Sequence, residues 1–255
     1  MYSIHDLNIP QENINDADAW LLTAYAWDEQ GEYEKAVFCM TKAAELGSVL
    51  AYTYLARYYE QGQGVTRDFV KAAECCAKVA DHPEPLYYSD FLFQSQAAYS
   101  LGYYHEQGLL PDASAEQAAL WYHKALSYYP TPFRAAPAIA LARLYLYGRG
   151  VEQNNQKAFD LLHVACCYRL DVAEVWQMCP LCAHLLTCED VIADAEQHLF
   201  LLDQLSVMYD EGYGGDPDPV QAQQCRQKAA EIRKTHPSQP EPVSIPRLIN
   251  GEGVF

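Results

Sequence analysis

At 255 residues, half of them hydrophobic and 13% aromatic, the chain can build a continuous core, and general disorder is not expected. Its 34 acids against 17 bases give a formal net charge of -17, which repels a phosphate backbone and disfavours nucleic acid, while speeding encounter with basic partners. No segment is apolar enough for a membrane span, the N-terminus carries no basic region followed by an apolar run, and nine cysteines, many adjacent or helical, fit reduced thiols in a cytoplasm better than a disulfide framework.

Residues 1–16 read as a polar leader in which Pro10 discourages helix and Asn15 or Asp16 is available to cap the first helix. A first helical hairpin then covers about residues 17–47. Trp20, Ala24 and Trp27 mark one helix face, Gly31 and Tyr33 the turn, and Ala36, Met40 and Ala43 the facing helix. A second hairpin comes next, over Ala51 to Ala80: the face of Ala51, Leu55, Ala56 and Tyr59 ends at Gly62 and Gly64, and Ala72, Ala73, Cys76, Val79 and Ala80 form the next face. Two landmarks carry the pattern down the chain. The pair opening the second helix falls at Lys35, Lys71, Gln117, Lys157 and Gln221, and the pair closing it at Lys42, Lys78, Lys124, Val164 and Lys228, so both advance by 36, 46, 40 and 64 residues. Leu55, Leu101, Leu141 and Leu205 repeat the last three steps in the first helix.

The first hairpin is similar to the tetratricopeptide pattern, with Thr23 where Leu is usual. The later units resemble Sel1-like repeats, whose pattern is Leu-Gly-x-x-Tyr-x-x-Gly-x-Gly-Val-x-x-Asp-x-x-Lys-Ala. Leu55, Ala56, Tyr59, Gly62, Gly64, Val65, Asp68, Lys71 and Ala72 follow it, as do Leu141, Ala142, Tyr145, Gly148, Gly150, Val151, Lys157 and Ala158, with Asn154 for Asp. Leu101, Gly102, Gly108, Asp112, Ala118, Trp121 and Lys124 match less completely, with His105 in place of Tyr, and Leu205, Tyr209, Gly212, Gly214, Ala222, Lys228 and Ala229 form the last unit. The resemblance implies an all-α, right-handed superhelical solenoid of about five hairpins over residues 17–234, first helices lining a concave wall. One hairpin cannot bury its apolar stripe alone, so neighbouring units must stack.

The unequal steps locate insertions. The 46-residue step inserts residues 81–96, whose prolines delay the next helix and whose aromatics can cover the seam between units. The 64-residue step adds enough chain for an extra helix near residues 168–189, with Pro180 set to break or kink it. Residues 235–255, rich in proline, read as an extended tail that caps the last unit or occupies the groove.

Fitting the chain to the repeat places Tyr25, Asp28, Arg57, Glu60, Tyr99, Tyr103, Glu106, Arg143, Tyr147 and Asp210 on the concave face, together with Glu29, Thr53, Ile139, Val207 and Glu211. Tyrosines offer contact area with one polar tip, Arg57 and Arg143 can hold a carboxylate, and the acids, Glu60 and Glu106 among them, can meet a partner's Lys or Arg. The bland reading of the same residues is packing between repeats plus solvated charge.

The cysteines suggest a metal, but Cys39, Cys75 and Cys225 are equivalent positions in three units, taken by Trp121 and Leu161 in the others, so they read as small core residues, as does Cys166. Cys167, Cys179, Cys182 and Cys188 remain, with His163 and His184 nearby. A single CxxC without a second pair falls short of a zinc framework, and no βαβ context supports redox chemistry. The Gly-x-Gly elements belong to repeat turns rather than a phosphate loop, and no catalytic constellation or cofactor motif is present. The expectation is a non-enzymatic adaptor without cofactor or metal that binds a protein or peptide, a basic one included, and not nucleic acid, membrane or a small-molecule substrate. Alternatives are a bacterial immunity protein neutralising a basic toxin, a cysteine-based metal or thiol module, and a self-associating structural protein.

Overall fold

The structure is a computed structural model and describes residues 7, 13–83, 88–128, 135–169, 188–213 and 216–235. In chain order its helices are α1 (Ala17–Glu29), α2 (Tyr33–Glu45), α3 (Val49–Gln61), α4 (Phe69–Ala80), α5 (Tyr88–Glu106), α6 (Ala115–Ser127), α7 (Ala135–Tyr147), α8 (Asn155–Arg169), α9 (Cys188–Glu211) and α10 (Pro219–Thr235). Among the described residues there is no strand, so the all-α expectation holds. The chain divides into two compact units, Met1–Asn154 with α1 to α7 and Asn155–Phe255 with α8 to α10. The extra helix expected near 168–189 and the tail at 235–255 fall almost wholly outside the described residues.

Short polar side chains open many of the helices, because the first N–H groups of a helix have no internal acceptor. Asp16 accepts from the Asp18 N–H ahead of α1, and Ser48 from the Ala51 N–H ahead of α3. The Asp of the repeat pattern caps in the same way. Asp68 accepts from the N–H groups of Val70 and Lys71, and Asp218 from those of Val220 and Gln221. The backbone N–H beside these caps ties the hairpin shut. Asp68 donates to the Tyr59 carbonyl at 2.9 Å, Asn154 to Tyr145 at 3.0 Å and Asp218 to Tyr209 at 2.8 Å, each time reaching back to the pattern tyrosine of the first helix.

The two glycines of the turns at Gly62 and Gly64 and at Gly148 and Gly150 serve different ends. Gly62 ends α3 at φ 72°, in the left-handed region where a β-carbon is costly. Gly64 adds a steric demand: a β-carbon there would lie 2.4 Å from the Tyr33 carbonyl carbon, at the start of α2 in the preceding hairpin. Gly150 repeats this against Ala115 at the start of α6, at 2.2 Å. The second glycine therefore sets how closely one repeat sits on the one before it.

Within the first unit, α1 packs on α2, α3 on α4 and α5 on α6, and the contacts of α2 with α3, α4 with α5 and α6 with α7 join successive hairpins. In the second unit, α9 packs on α10 and also touches α8. Fully buried alanines, including Ala36, Ala43, Ala51, Ala72, Ala118, Ala142, Ala158 and Ala222, let the helices approach, and among the described residues Tyr58, Tyr104 and Tyr122 are the largest fully buried side chains. Cys39, Cys75 and Cys225 are buried, as the repeat register expects of core thiols, and burial pushes the Cys39 thiol up to about 12 and that of Cys75 to about 11.

The insertion at 81–96 includes the start of the next helix. With no proline after Pro85, α5 begins at Tyr88 and runs for 19 residues, against 13 for α3. The polar part of this extension bonds to neighbouring helix ends: the Gln94 amide donates to the His82 carbonyl at 2.8 Å, and the Ser95 hydroxyl to the Ala125 carbonyl at 3.0 Å.

Candidate interaction site

The site candidates fall on the first helices, and in the first unit the structure gathers them into two clusters, each crossing a seam between repeats. At the first seam, Nη2 of Arg57 on α3 donates to both carboxylate oxygens of Asp28 on α1, at 3.0 and 3.1 Å, while the Tyr58 hydroxyl donates to Asp28 at 2.6 Å. The Arg57 guanidinium also lies 5.2 Å from the Tyr54 ring centroid and 5.1 Å from that of Tyr58, so rings flank the ion pair. Tyr25 tilts against Tyr54 at 5.0 Å. The Arg57 side chain is only 17% exposed.

At the second seam the burial is reversed. Glu106, at the end of α5, keeps just 2% of its side chain exposed and accepts from the Tyr122 hydroxyl at 2.7 Å and from Arg143 Nη2 at 3.2 Å, with the Arg149 guanidinium 3.8 Å away. Arg143 is 38% exposed and Arg149 51%. Tyr99 tilts against Tyr122 at 5.6 Å, behind the cluster. Gly102 makes room for it, since a β-carbon there would lie 2.5 Å from the Tyr122 ring. Burial raises the Tyr58 and Tyr122 hydroxyls well above their ordinary value, and the bonds to Asp28 and Glu106 raise them further. Nε of both Arg57 and Arg143 is buried without a hydrogen-bond partner.

The remaining candidates lie in simpler settings. Tyr103 is 40% exposed, with its ring 6.3 Å from that of Tyr104, and Tyr147 is exposed at the end of α7. Glu60 lies near Tyr104 and Cys76, two groups held in the neutral form chiefly by burial, with the Glu60 charge adding to it. In the second unit, Asp210 on α9 pairs with Arg226 on α10. Two sequence expectations need correction. Ile139 is core, buried at 3% exposure, and the Glu106 carboxylate is spent inside the protein rather than offered to a partner. Arg57 and Arg143 each hold a carboxylate, but it is the chain's own.

A model of the Sel1 repeat matches residues 29–48, 49–82, 95–127, 138–167 and 203–232. The chain belongs to the Sel1 repeat family. Two solved structures are similar to it. One is a Sel1 repeat protein from Oxalobacter formigenes, 19% identical with a TM-score of 0.60, over 88% of this chain and 76% of that one. The other is c5321, described as a protective antigen present in uropathogenic Escherichia coli strains and displaying an SLR fold, 21% identical with a TM-score of 0.53, over 84% of this chain and 46% of that one. This chain thus spans less than half the length of c5321, and at these identities the likeness is one of fold. No curated protein matches the chain.

In Sel1 register the pairings become regular. Five residues after the pattern Leu stand Glu60, Glu106 and Asp210, and Asp28 holds the same place after Thr23. Five residues after the opening Lys or Gln of the second helix stand Cys76, Tyr122 and Arg226, and each is the hairpin partner or neighbour of that acid. The arginines that cross the seams, Arg57 and Arg143, both sit two residues after the pattern Leu of the following Sel1 repeat. Tyr58 and Tyr122, absent from the sequence-derived site, complete the clusters. The signal for them was available in part, as an acid at one fixed register and a tyrosine or arginine at another. Its meaning depends on which repeat faces which.

Among the described residues, no group of three or more His, Cys, Asp and Glu side chains is arranged to hold a metal ion. No described helix is long and apolar enough to cross a membrane. The side chains of Cys167 and Cys188, and all of Cys179 and Cys182, lie outside the described residues.

Proposed function

We propose that this Sel1 repeat protein is a non-catalytic scaffold that binds a protein or extended peptide along the face made by its first helices. Sel1 repeat proteins generally mediate protein–protein interactions and are typically non-catalytic. The observation that carries the reading here is the exposure of Tyr103 and Tyr147 on that face, beside the partly exposed Arg143. Large amphipathic rings beside a cation are the side chains that concentrate binding energy at interfaces. The net charge of -17 favours a partner that is basic overall, which also suits the narrower reading of an immunity protein against a basic toxin. The buried thiols of Cys39 and Cys75, held neutral by burial, suit a reducing, cytoplasmic setting.

A photo-crosslinking residue in place of Tyr103 or Tyr147, in the source cells, tests the proposal. A discrete crosslinked protein is expected from these positions and not from Leu120, which is exposed on the second helix α6. Equal crosslinking from Leu120, or none from either tyrosine, would overturn it.

A further inference from the structure

The two seams use the same register but leave different things outside. At the first, one arginine meets one aspartate, both mostly buried, and the charges cancel. At the second, two guanidinium groups share the single carboxylate of Glu106, which is itself withdrawn from solvent. One positive charge therefore remains, presented by the exposed parts of Arg143 and Arg149 in a protein whose net charge is -17. Among the described residues Arg149 has no closer carboxylate than Glu106, at 3.8 Å, so its hydrogen-bonding edge is not saturated.

An exposed tyrosine stands about one helix turn from each partner of the ion pair. Tyr103 stands three residues before Glu106 on α5, and Tyr147 four residues after Arg143 on α7, spacings that put each on the same helix surface as the charged group. A basic side chain is repelled here, and an apolar one would strip water from the guanidinium groups without replacing its hydrogen bonds. A carboxylate accepts from a guanidinium fork in a planar, paired geometry, and the flanking rings cover the neighbouring peptide.

We propose that Arg143 and Arg149, bordered by Tyr103 and Tyr147, form a docking site for an Asp or Glu side chain of an extended peptide segment. This rests on the scaffold reading and narrows it. The overall field attracts a basic partner, while this one subsite takes an acidic residue and so fixes the register of what is bound.

The test is selection of random dodecapeptides, displayed on phage, against the full chain at physiological salt, followed by affinity measurement of synthetic peptides. Enrichment of sequences with Asp or Glu at one fixed position is expected. Arg149→Gln and Tyr147→Ala should each weaken such peptides, Arg149→Gln by roughly tenfold, the size of one charge-assisted hydrogen bond. Both residues are exposed, so these variants should keep the wild-type thermal unfolding curve. Bound peptides with no fixed acidic position, or peptides that bind Arg149→Gln as tightly as wild type, would overturn the subsite and leave the scaffold reading standing. Failure to enrich any peptide would count against the scaffold reading as well.

Discussion

The Asp28 and Glu106 clusters are built on one plan and differ in which partner is hidden. At the first seam the arginine is enclosed between Tyr54 and Tyr58, with both ions mostly out of solvent. At the second, the acid is enclosed and the arginine is the more exposed partner, and Tyr122, from the second helix of the same hairpin, donates its hydroxyl to Glu106. A tyrosine from the next repeat locks the first seam, and a tyrosine from the same repeat displaces the charge at the second. One sequence pattern, acid then arginine across a repeat boundary, thus yields a structural tie in one place and an exposed cation in another.

Opening the seams themselves would break this comparison most severely. Gly64→Ala and Gly150→Ala place a β-carbon against the backbone of the preceding hairpin at positive φ, and each should cost about 3 kcal/mol or more in urea denaturation. Gly31→Ala, at a similar φ with nothing near its β-carbon, should cost about 1 kcal/mol, and equal losses at all three sites would disprove the close-approach argument. Next in size is removal of the acids. Glu106→Ala strands Arg143 and the Tyr122 hydroxyl and should cost about 3 kcal/mol, whereas Asp28→Ala, at a less buried carboxylate, should cost about 2 kcal/mol by the same measurement.

Alkaline pH probes both seams together. Burial, with the bonds to Asp28 and Glu106, keeps Tyr58 and Tyr122 protonated in the folded state when the unfolded chain would release those protons. Stability is therefore full below about pH 10 and falls as pH rises beyond it, by up to about 1.4 kcal/mol per pH unit for each tyrosine. Tyr58→Phe and Tyr122→Phe should each flatten the slope of unfolding free energy against pH, and an unchanged slope would place these hydroxyls in water. The smallest effect belongs to the displayed cation. Arg149→Gln should shift stability by no more than about 0.5 kcal/mol, since its ion pair is long and half-exposed.

The repeat landmarks made the hairpins legible because they mark events within one unit, such as the turn at Gly62, the cap at Asp68 and the small core positions. The candidate face was legible as a row of side chains, but not as pairs. Asp28 and Arg57 are 29 residues apart, and their contact exists only because the next hairpin stacks in a particular register. The second function of Gly64 was hidden for the same reason, since its steric partner, Tyr33, belongs to the preceding repeat. The early start of α5 was obscured by Pro83 and Pro85, which mark where helix is discouraged without saying how soon afterwards it resumes.

At Gly64 and Gly150 the spacing between neighbouring hairpins is gauged by main chain against main chain, the nearest atoms of the preceding hairpin being backbone at both. Residues on the outward faces of the first helices can therefore be exchanged without resetting the pitch of the stack. A new ligand preference can therefore be written at exposed helix positions such as 103 and 147 while the backbone contacts that set the spacing stay fixed.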